Sequence, residues 1–440
     1  MFNPSNTSTE VVESEGTDER NPRRRPRVLF LNRSYWPDGE ATGQLLTELS
    51  EDLADRFDVT VVAGLPNTNP SNEPYRTFRS EVRRGVRILR VPHTRLPKGW
   101  LPGRAINFIT FLASATIRST FCRRQDVIVV ETDPFLLSLI GVMLRWRHRA
   151  NLVVYLQDIH PDIGVAIGRL KESCLTRTLR RSLNAVYRRA ERVVVLSRDM
   201  RNTLVAAGVP EHAVVCIPNW IDTKRVRPSK GRNRFRTEAG IDDDAFVVMY
   251  SGNLGITQQL DRLLDAAEML RSRSDVSMVF IGGGSAEAGL REEANRRGLT
   301  NVRFFPYQPK EALGDSLSAA DLHAITVHPA ALAFLMPSKL YGILAAARAV
   351  LAAAPSDSEL AEIVRTHRLG YVVPPGDARA MAAAIGKAVE DRAETTAMGI
   401  RGRQLAEETY DRAYVTRQFG DLLADVYDEA TRPQTTTVEA

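Results

Sequence analysis

Cysteine is scarce in this chain. There are three in 440 residues (Cys122, Cys174, Cys216), far apart and in no CxxC pair. That number and spacing argue against a disulfide framework and a cysteine metal centre, and point to a reducing compartment. No apolar run reaches the roughly 18 residues that would suggest a transmembrane helix. Residues 1–22 are polar and mixed in charge, without the apolar core of a secretory signal, and are expected to be disordered. There is no P-loop and no GxGxxG, and no nucleic-acid-binding motif accompanies the basic residues, so nucleic acid is not an expected partner.

What is present is ordinary in bulk and uneven in distribution. Charged residues make up 25% and hydrophobic residues 43%, as in soluble globular proteins, and the length suits two or three domains. Residues 1–222 carry a net charge of +8, and residues 223–440 carry −2. The excess concentrates in residues 82–150, with 13 basic side chains against 3 acidic, in a window that is also apolar. Basic and apolar together suit an anionic membrane surface better than DNA. The "RRRPR" at 23–27 reads as a solvated flank to the first strand.

"VLFLN" (28–32) reads as a buried strand. "GQLLTELSEDLADRF" follows with leucines at helical spacing and Thr42 as its N-cap, and "VTVVAG" (59–64) closes a β-α-β unit. Continuous apolar strands alternate with helices up to about residue 217. Pro218, Pro228, Gly231 and a basic run then interrupt the pattern, after which a second β/α series begins at "FVVMYSGN". The expected fold is α/β, with two Rossmann-like doubly wound domains facing across a cleft. The expected divisions are a disordered tail (1–26), an N-terminal domain (27–217), a C-terminal domain (218–410), a helix (411–430) packing back on the first domain, and a flexible tail (431–440).

Several strand ends carry chemistry. "SGNLG" (251–255) and "IGGGS" (281–285) each follow a strand and precede a helix. Their glycines let backbone N–H groups approach a phosphate, although a tight turn would need the same residues. "WPDGEATGQ" (36–44) places Gly39 and Gly43 where a loop could meet a ligand across the cleft. "LQDIHPD" (156–162) puts Asp158 and His160 at a sheet's C-terminal edge, where a carboxylate can orient a hydroxyl; loop capping is the plainer reading. In "VRFFPYQP", Tyr307 could flank a base or belong to the core. "LMPSKLYGILAA" (335–346) places Pro337, Ser338 and Lys339 at a helix N-terminus, which attracts anions.

In order and spacing, "YWPDGEATGQLLTELSEDLA", "YLQDIHPD", "VVVLSRDM", "IPNWID", "YSGNLG", "FIGGGS", "MPSKLYG" and "GYVVPPGD" resemble glycosyltransferase family 4 over residues 27–430. Within it they are similar to the bacterial colanic-acid and O-antigen transferases, of the N-acetyl-fucosamine type. The resemblance implies the GT-B fold and retaining transfer, with no metal and no cofactor. The donor would be a nucleotide diphosphate sugar, UDP-linked, bound on the C-terminal domain. The acceptor, lipid-linked or a saccharide, would lie on the N-terminal domain. Asp158 would be catalytic. Gly43, Gly252, Asn253, Gln258, Gly283, Gly284, Tyr307, Met336, Ser338, Lys339 and Glu359 would bind donor, and Trp36 and His160 would lie on the acceptor side. The expected location is cytoplasmic, peripheral on the inner face of the membrane.

The chain departs from the family at two glutamates eight residues apart, whose places fall on Phe334 and Gly342. Glu359 is the candidate replacement for the ribose carboxylate. The family's Arg and Lys after the first C-domain strand are also missing, leaving more of the diphosphate's charge to Lys339. Two alternatives stay open: a non-catalytic sugar-nucleotide-binding partner and a sugar-nucleotide 2-epimerase.

Overall fold

The computed structural model describes residues 24–66, 78–96, 101–229 and 233–431. The expected terminal tails lie almost wholly outside these, as does Gly231 of the linker. The first half of the chain runs β1 (Arg27–Leu31), α1 (Ala41–Leu53), β2 (Asp58–Gly64), β3 (Arg79–Arg83), β4 (Val86–Val91), α2 (Leu101–Thr120), β5 (Val127–Val130), α3 (Leu137–His148), β6 (Asn151–Tyr155), α4 (Asp162–Ala166), α5 (Cys174–Tyr187), β7 (Arg192–Val195), α6 (Arg198–Ala206) and β8 (Val214–Cys216). The second half runs α7 (Arg234–Ala239), β9 (Phe246–Ser251), α8 (Asp261–Met269), β10 (Val276–Ile281), α9 (Glu287–Arg296), β11 (Val302–Phe305), α10 (Leu313–Ser318), β12 (Leu322–Thr326), α11 (Lys339–Ala345), β13 (Ala349–Ala353), α12 (Glu359–Thr366), β14 (Gly370–Val373), α13 (Ala378–Glu390), α14 (Arg392–Thr409) and α15 (Arg412–Thr431).

Two sheets result, in the order β3-β4-β2-β1-β5-β6-β7-β8 and β11-β10-β9-β12-β13-β14. Every described pairing is parallel except that of the exposed edge strand β3 with β4. Helices cover both faces, so strands such as "VIVV" and "FVVMY" are buried throughout and read as unbroken apolar runs. Strand order reverses between β1 and β5 in the first sheet and between β9 and β12 in the second. Ligands of open α/β sheets bind outside the strand ends at such points.

One contiguous apolar core joins the N-terminal sheet to the inner faces of α11 and α12, and a second lies within the C-terminal domain. Helix α15 returns to the N-terminal domain. Phe419 meets the Tyr155 ring at 5.1 Å, Asn151 Nδ2 donates to the Val426 carbonyl at 2.8 Å, and Arg412 pairs with Asp52 at 2.6 Å. One local expectation fails. Thr42 does not cap α1, because the helix begins at Ala41, two residues earlier than a Thr42 cap requires, and Glu40 takes the cap position. The Glu40 carboxylate is instead held by Ser34 and Arg33. In the "RRRPR" flank, Arg24 is anchored, with one guanidinium nitrogen 2.9 Å from both oxygens of Asp126.

Candidate active site

A cavity of about 840 Å³ lies between the two sheets' C-terminal edges. Its N-terminal wall is formed by residues 38–41 and Asp158. Its C-terminal wall comes from Gly252, Asn253, Gln258, Tyr307, the end of β12 and residues 335–339.

The C-terminal wall is built by two glycine loops packed on each other. Gly252 N–H donates to the Ile281 carbonyl at 2.8 Å, and Leu254 N–H to the Gly283 carbonyl at 3.0 Å. At Gly282, φ is +141°, and a Cβ would lie 1.9 Å from the Gly252 carbonyl oxygen. At Gly252, φ is +136°, and a Cβ would lie 2.6 Å from Cε of Lys339. Gly252 therefore clears the path along which the lysine reaches the cleft. Gly283 and Gly284 sit behind this front: the Gly283 carbonyl accepts from the Tyr307 hydroxyl at 3.3 Å, and Gly284 backs onto Asn253.

Lys339 lies against Tyr250, donating to its hydroxyl, with Nζ 3.9 Å from the ring centroid. The tyrosine hydroxyl in turn donates to the Asn253 carbonyl at 2.9 Å. Burial pushes the lysine down to about 7. Among the described residues no carboxylate pairs with it, and it is the one basic side chain lining the cleft. Ser338 occupies the cap position of α11 without a side-chain cap bond, and Met336 lines the floor. The helix is short, and its buried face (Leu340, Tyr341, Ile343, Leu344) fixes it to the core.

The N-terminal wall is acidic. Ser34 Oγ lies 2.8 Å from Asp133 and also contacts Glu40; its single proton can serve only one of the two carboxylates. Arg33 bridges the pair, 3.1 Å from Asp133 and 3.4 Å from Glu40. Asp158 leaves β6 on a segment that bridges to the other domain: Ile159 N–H donates to the Phe334 carbonyl at 2.9 Å, and Asp158 pairs with Leu335. Burial pushes the Asp158 carboxyl up, and nearby His160 opposes the shift. Burial likewise pushes His160 down, and its ring stacks on Phe135 at 5.0 Å.

The sequence candidates thus divide. The structure brings Asp158, Gly252, Asn253, Gln258, Tyr307, Met336, Ser338 and Lys339 to one cavity. Gly43 is placed elsewhere, packing α1 against the preceding loop, where a Cβ would lie 3.0 Å from the Ser34 carbonyl carbon. Trp36 does not line the cavity and carries Arg83 over its ring at 4.6 Å. His160 stands behind Asp158. Arg33, Ser34, Glu40 and Asp133 were missed, although "NRS" after β1 and "ETDP" after β5 are polar strand ends like "LQD".

Glu359 needs correction as a ribose ligand. Its carboxylate accepts the backbone N–H of Arg198, while Asp199 accepts the N–H of Glu359 at 2.8 Å. Arg198 also pairs with Glu362 at 2.6 Å. Helices α6 and α12 meet N-terminus to N-terminus, one from each domain, and each supplies a carboxylate to the other's positive end. Glu359 is engaged in this interdomain contact and is not among the cavity's lining residues.

Residues 41–220 match the family described as "Glycosyl transferase 4-like domain", and residues 231–405 match "Glycosyl transferases group 1". The chain is 30% identical to the putative colanic acid biosynthesis glycosyl transferase WcaI of Escherichia coli, over 89% of this chain and 98% of that one. Its fold is similar to sucrose-phosphate synthase from Thermosynechococcus elongatus (TM-score 0.74, 18% identity, covering 92% of this chain and all of that one). It is also similar to Anabaena HepE solved with UDP (TM-score 0.70, 18% identity, covering 91% and 100%).

Proposed function

The chain belongs to the group 1 glycosyltransferases, and on that premise we propose that it moves a hexosyl or N-acetylhexosaminyl group from a UDP-linked sugar to a hydroxyl of a lipid-linked or polysaccharide precursor. The transfer proceeds with retention, without a metal or other cofactor, in cell-surface polysaccharide synthesis at the cytoplasmic face of the membrane. One observation carries this reading: the cavity sets a single unpaired lysine on one wall against carboxylates on the other.

The departing diphosphate gathers negative charge as the glycosidic bond breaks, and stabilising that charge is the main electrostatic task. Lys339 meets it with a full charge, and the Ser338 hydroxyl and the glycine loops offer further donors. Tyr307 lies beside the base and Gln258 near the phosphates. Asp158, on the opposite wall, steadies positive charge on the reacting sugar and positions the acceptor hydroxyl, whose proton leaves with the diphosphate. The raised pKa of Asp158 relaxes when the cationic sugar develops beside it.

Incubation with a panel of labelled sugar nucleotides and membrane extract tests the proposal. Transfer of label into the lipid or polysaccharide fraction, best with a UDP-sugar, is expected. Isomerised free sugar nucleotide would mark an epimerase. A second reading, a non-catalytic sugar-nucleotide binder, draws on Phe334 and Gly342 standing where the family has glutamates. It would be recognised by tight nucleotide binding without turnover for any acceptor.

A further inference from the structure

The stretch "IPNWID" (217–222) carries the chain from one domain to the other, and the transfer proposed above gives it no part. Its proline and the pattern break around it read as a plain connection, yet the structure clamps it. Trp220 Nε1 donates to Glu48 of α1 at 3.0 Å. Ile221 N–H donates to the Tyr410 carbonyl, and Arg412 N–H to the Ile221 carbonyl, both at 3.0 Å. Asn219 and Trp220 are each only 3% exposed. A segment held by an indole on one side and by a backbone pair at the α14–α15 junction on the other has a fixed place between the domains.

The side chain of Asn219 reaches the end of β6. Its Oδ1 accepts from the Tyr155 hydroxyl at 3.2 Å, and its Nδ2 donates to Gln157 Oε1 at 3.0 Å. All three side chains are buried, so each bond is costly to lose. Gln157 is the residue before Asp158. The Asp158 segment is therefore held from two sides. The C-terminal domain holds it through the Ile159–Phe334 hydrogen bond and the Leu335 pairing, and the linker holds it through Gln157.

The opposite wall meets the same residue. Tyr341, two residues after Lys339 on α11, is buried, and its hydroxyl faces the Asn219 backbone. Asn219 and Tyr341 line a cavity of about 160 Å³ that shares Ala41 and Ser338 with the main cleft.

We propose that Asn219 is a positioning residue, whose side-chain amide fixes the Asp158 segment relative to the lysine wall. Its use in transfer rests on the part given to Asp158 above, whereas its hold on the segment does not. Asn219 does not line the main cavity, so its loss acts on turnover and spares donor binding. Misplacing a reacting group by about 1 Å costs roughly 10²-fold in rate.

Kinetics and hydrogen exchange on the full chain test it. In Asn219→Ala, turnover should fall by roughly 10- to 100-fold, with UDP affinity nearly unchanged. Adding Asp158→Asn to that variant should cost much less than Asp158→Asn costs alone, because the carboxylate is already out of place. Exchange of the Ile159 N–H should quicken, while β1, β2 and β5 exchange as before. Tyr155→Phe keeps the ring and deletes the hydroxyl. It should show the same pattern more weakly, and it decides the matter if Asn219→Ala fails to fold. Unchanged exchange at Ile159 overturns the proposal. So do a loss of UDP affinity equal to the loss of turnover and fully additive losses in the double variant. Faster exchange with normal turnover also overturns it where Asp158→Asn alone is impaired. Where Asp158→Asn alone is normal too, the carboxylate's part in transfer fails and the hold of Asn219 on the segment stands.

Discussion

On the C-terminal wall of the cleft, one lysine and the Gly252–Asn253 loop face the cavity, backed by a second glycine loop; on the N-terminal wall, Asp38, Glu40 and Asp158 do. Both walls come from the same kind of sheet, at the same edge, and from loops of similar length. They differ in what the loops hold in place. The C-terminal loops are pinned to each other by backbone hydrogen bonds, from Gly252 N–H to the Ile281 carbonyl and from Leu254 N–H to the Gly283 carbonyl, and the wall they build presents a lysine to meet an anion. The N-terminal loops are pinned by an arginine shared between carboxylates, which leaves a polar, negative surface suited to hydroxyls and to a sugar that turns cationic. In the proposed reaction this asymmetry would set donor and acceptor on opposite walls of one cavity.

The sharpest break of this asymmetry is Asp158→Asn, which removes the negative charge and keeps the size. Turnover should fall by roughly 10² to 10⁴, with nucleotide affinity nearly unchanged. Near-normal turnover in a folded variant would return Asp158 to a purely structural part in the Leu335 bridge.

On the other wall, Lys339→Ala should weaken nucleotide diphosphate binding by roughly 10- to 150-fold, from one charge-assisted hydrogen bond of about 1.5–3 kcal/mol. The loss for nucleoside should be smaller. Equal losses in calorimetry would mean that the variant deforms the pocket and that the lysine does not meet the diphosphate.

The same lysine makes binding depend on pH. Burial pushes it down to about 7, and a bound diphosphate would favour the charged form and raise it. Affinity is then full below the free value and falls as pH rises through the bound value, by at most about tenfold per unit. Calorimetry in buffers of different ionisation enthalpy should show proton uptake on binding near neutral pH, and Lys339→Ala should abolish it.

The smallest expected effect lies at the contact that holds the walls together. In a cycle of Asp199→Asn and Glu359→Gln, the two changes should couple by about 0.5–3 kcal/mol in thermal unfolding. Affinity for the donor should drop only modestly, because neither residue lines the cavity. If Glu359→Gln alone cost as much donor affinity as Lys339→Ala, the ribose reading of Glu359 would return.

Much of this was legible along the chain. Unbroken apolar strands alternating with helices require a parallel sheet covered on both faces, and the break after residue 217 divides two of them. Polar residues at strand ends identify the edge where chemistry sits, which is why Asp158 and Asn253 could be named, and a helix N-terminus pointed to Lys339. Gly43 and Glu359 misled for one shared reason. A glycine after a strand serves close packing as well as ligand approach, and a glutamate at a helix start caps whichever helix end faces it. Only the neighbours decide between those uses, and the neighbours of Gly43 are Ser34 and Tyr35, while those of Glu359 are Arg198 and Asp199.

Local pattern determined the elements, their order and the edge of each sheet, because hydrophobic period and turn chemistry act over a few residues. Tertiary structure decided which strand ends converge and which carboxylates are taken up in holding the domains together. Those outcomes depend on contacts between residues as far apart as Glu359 and Arg198, and on burial, which no short stretch of sequence contains.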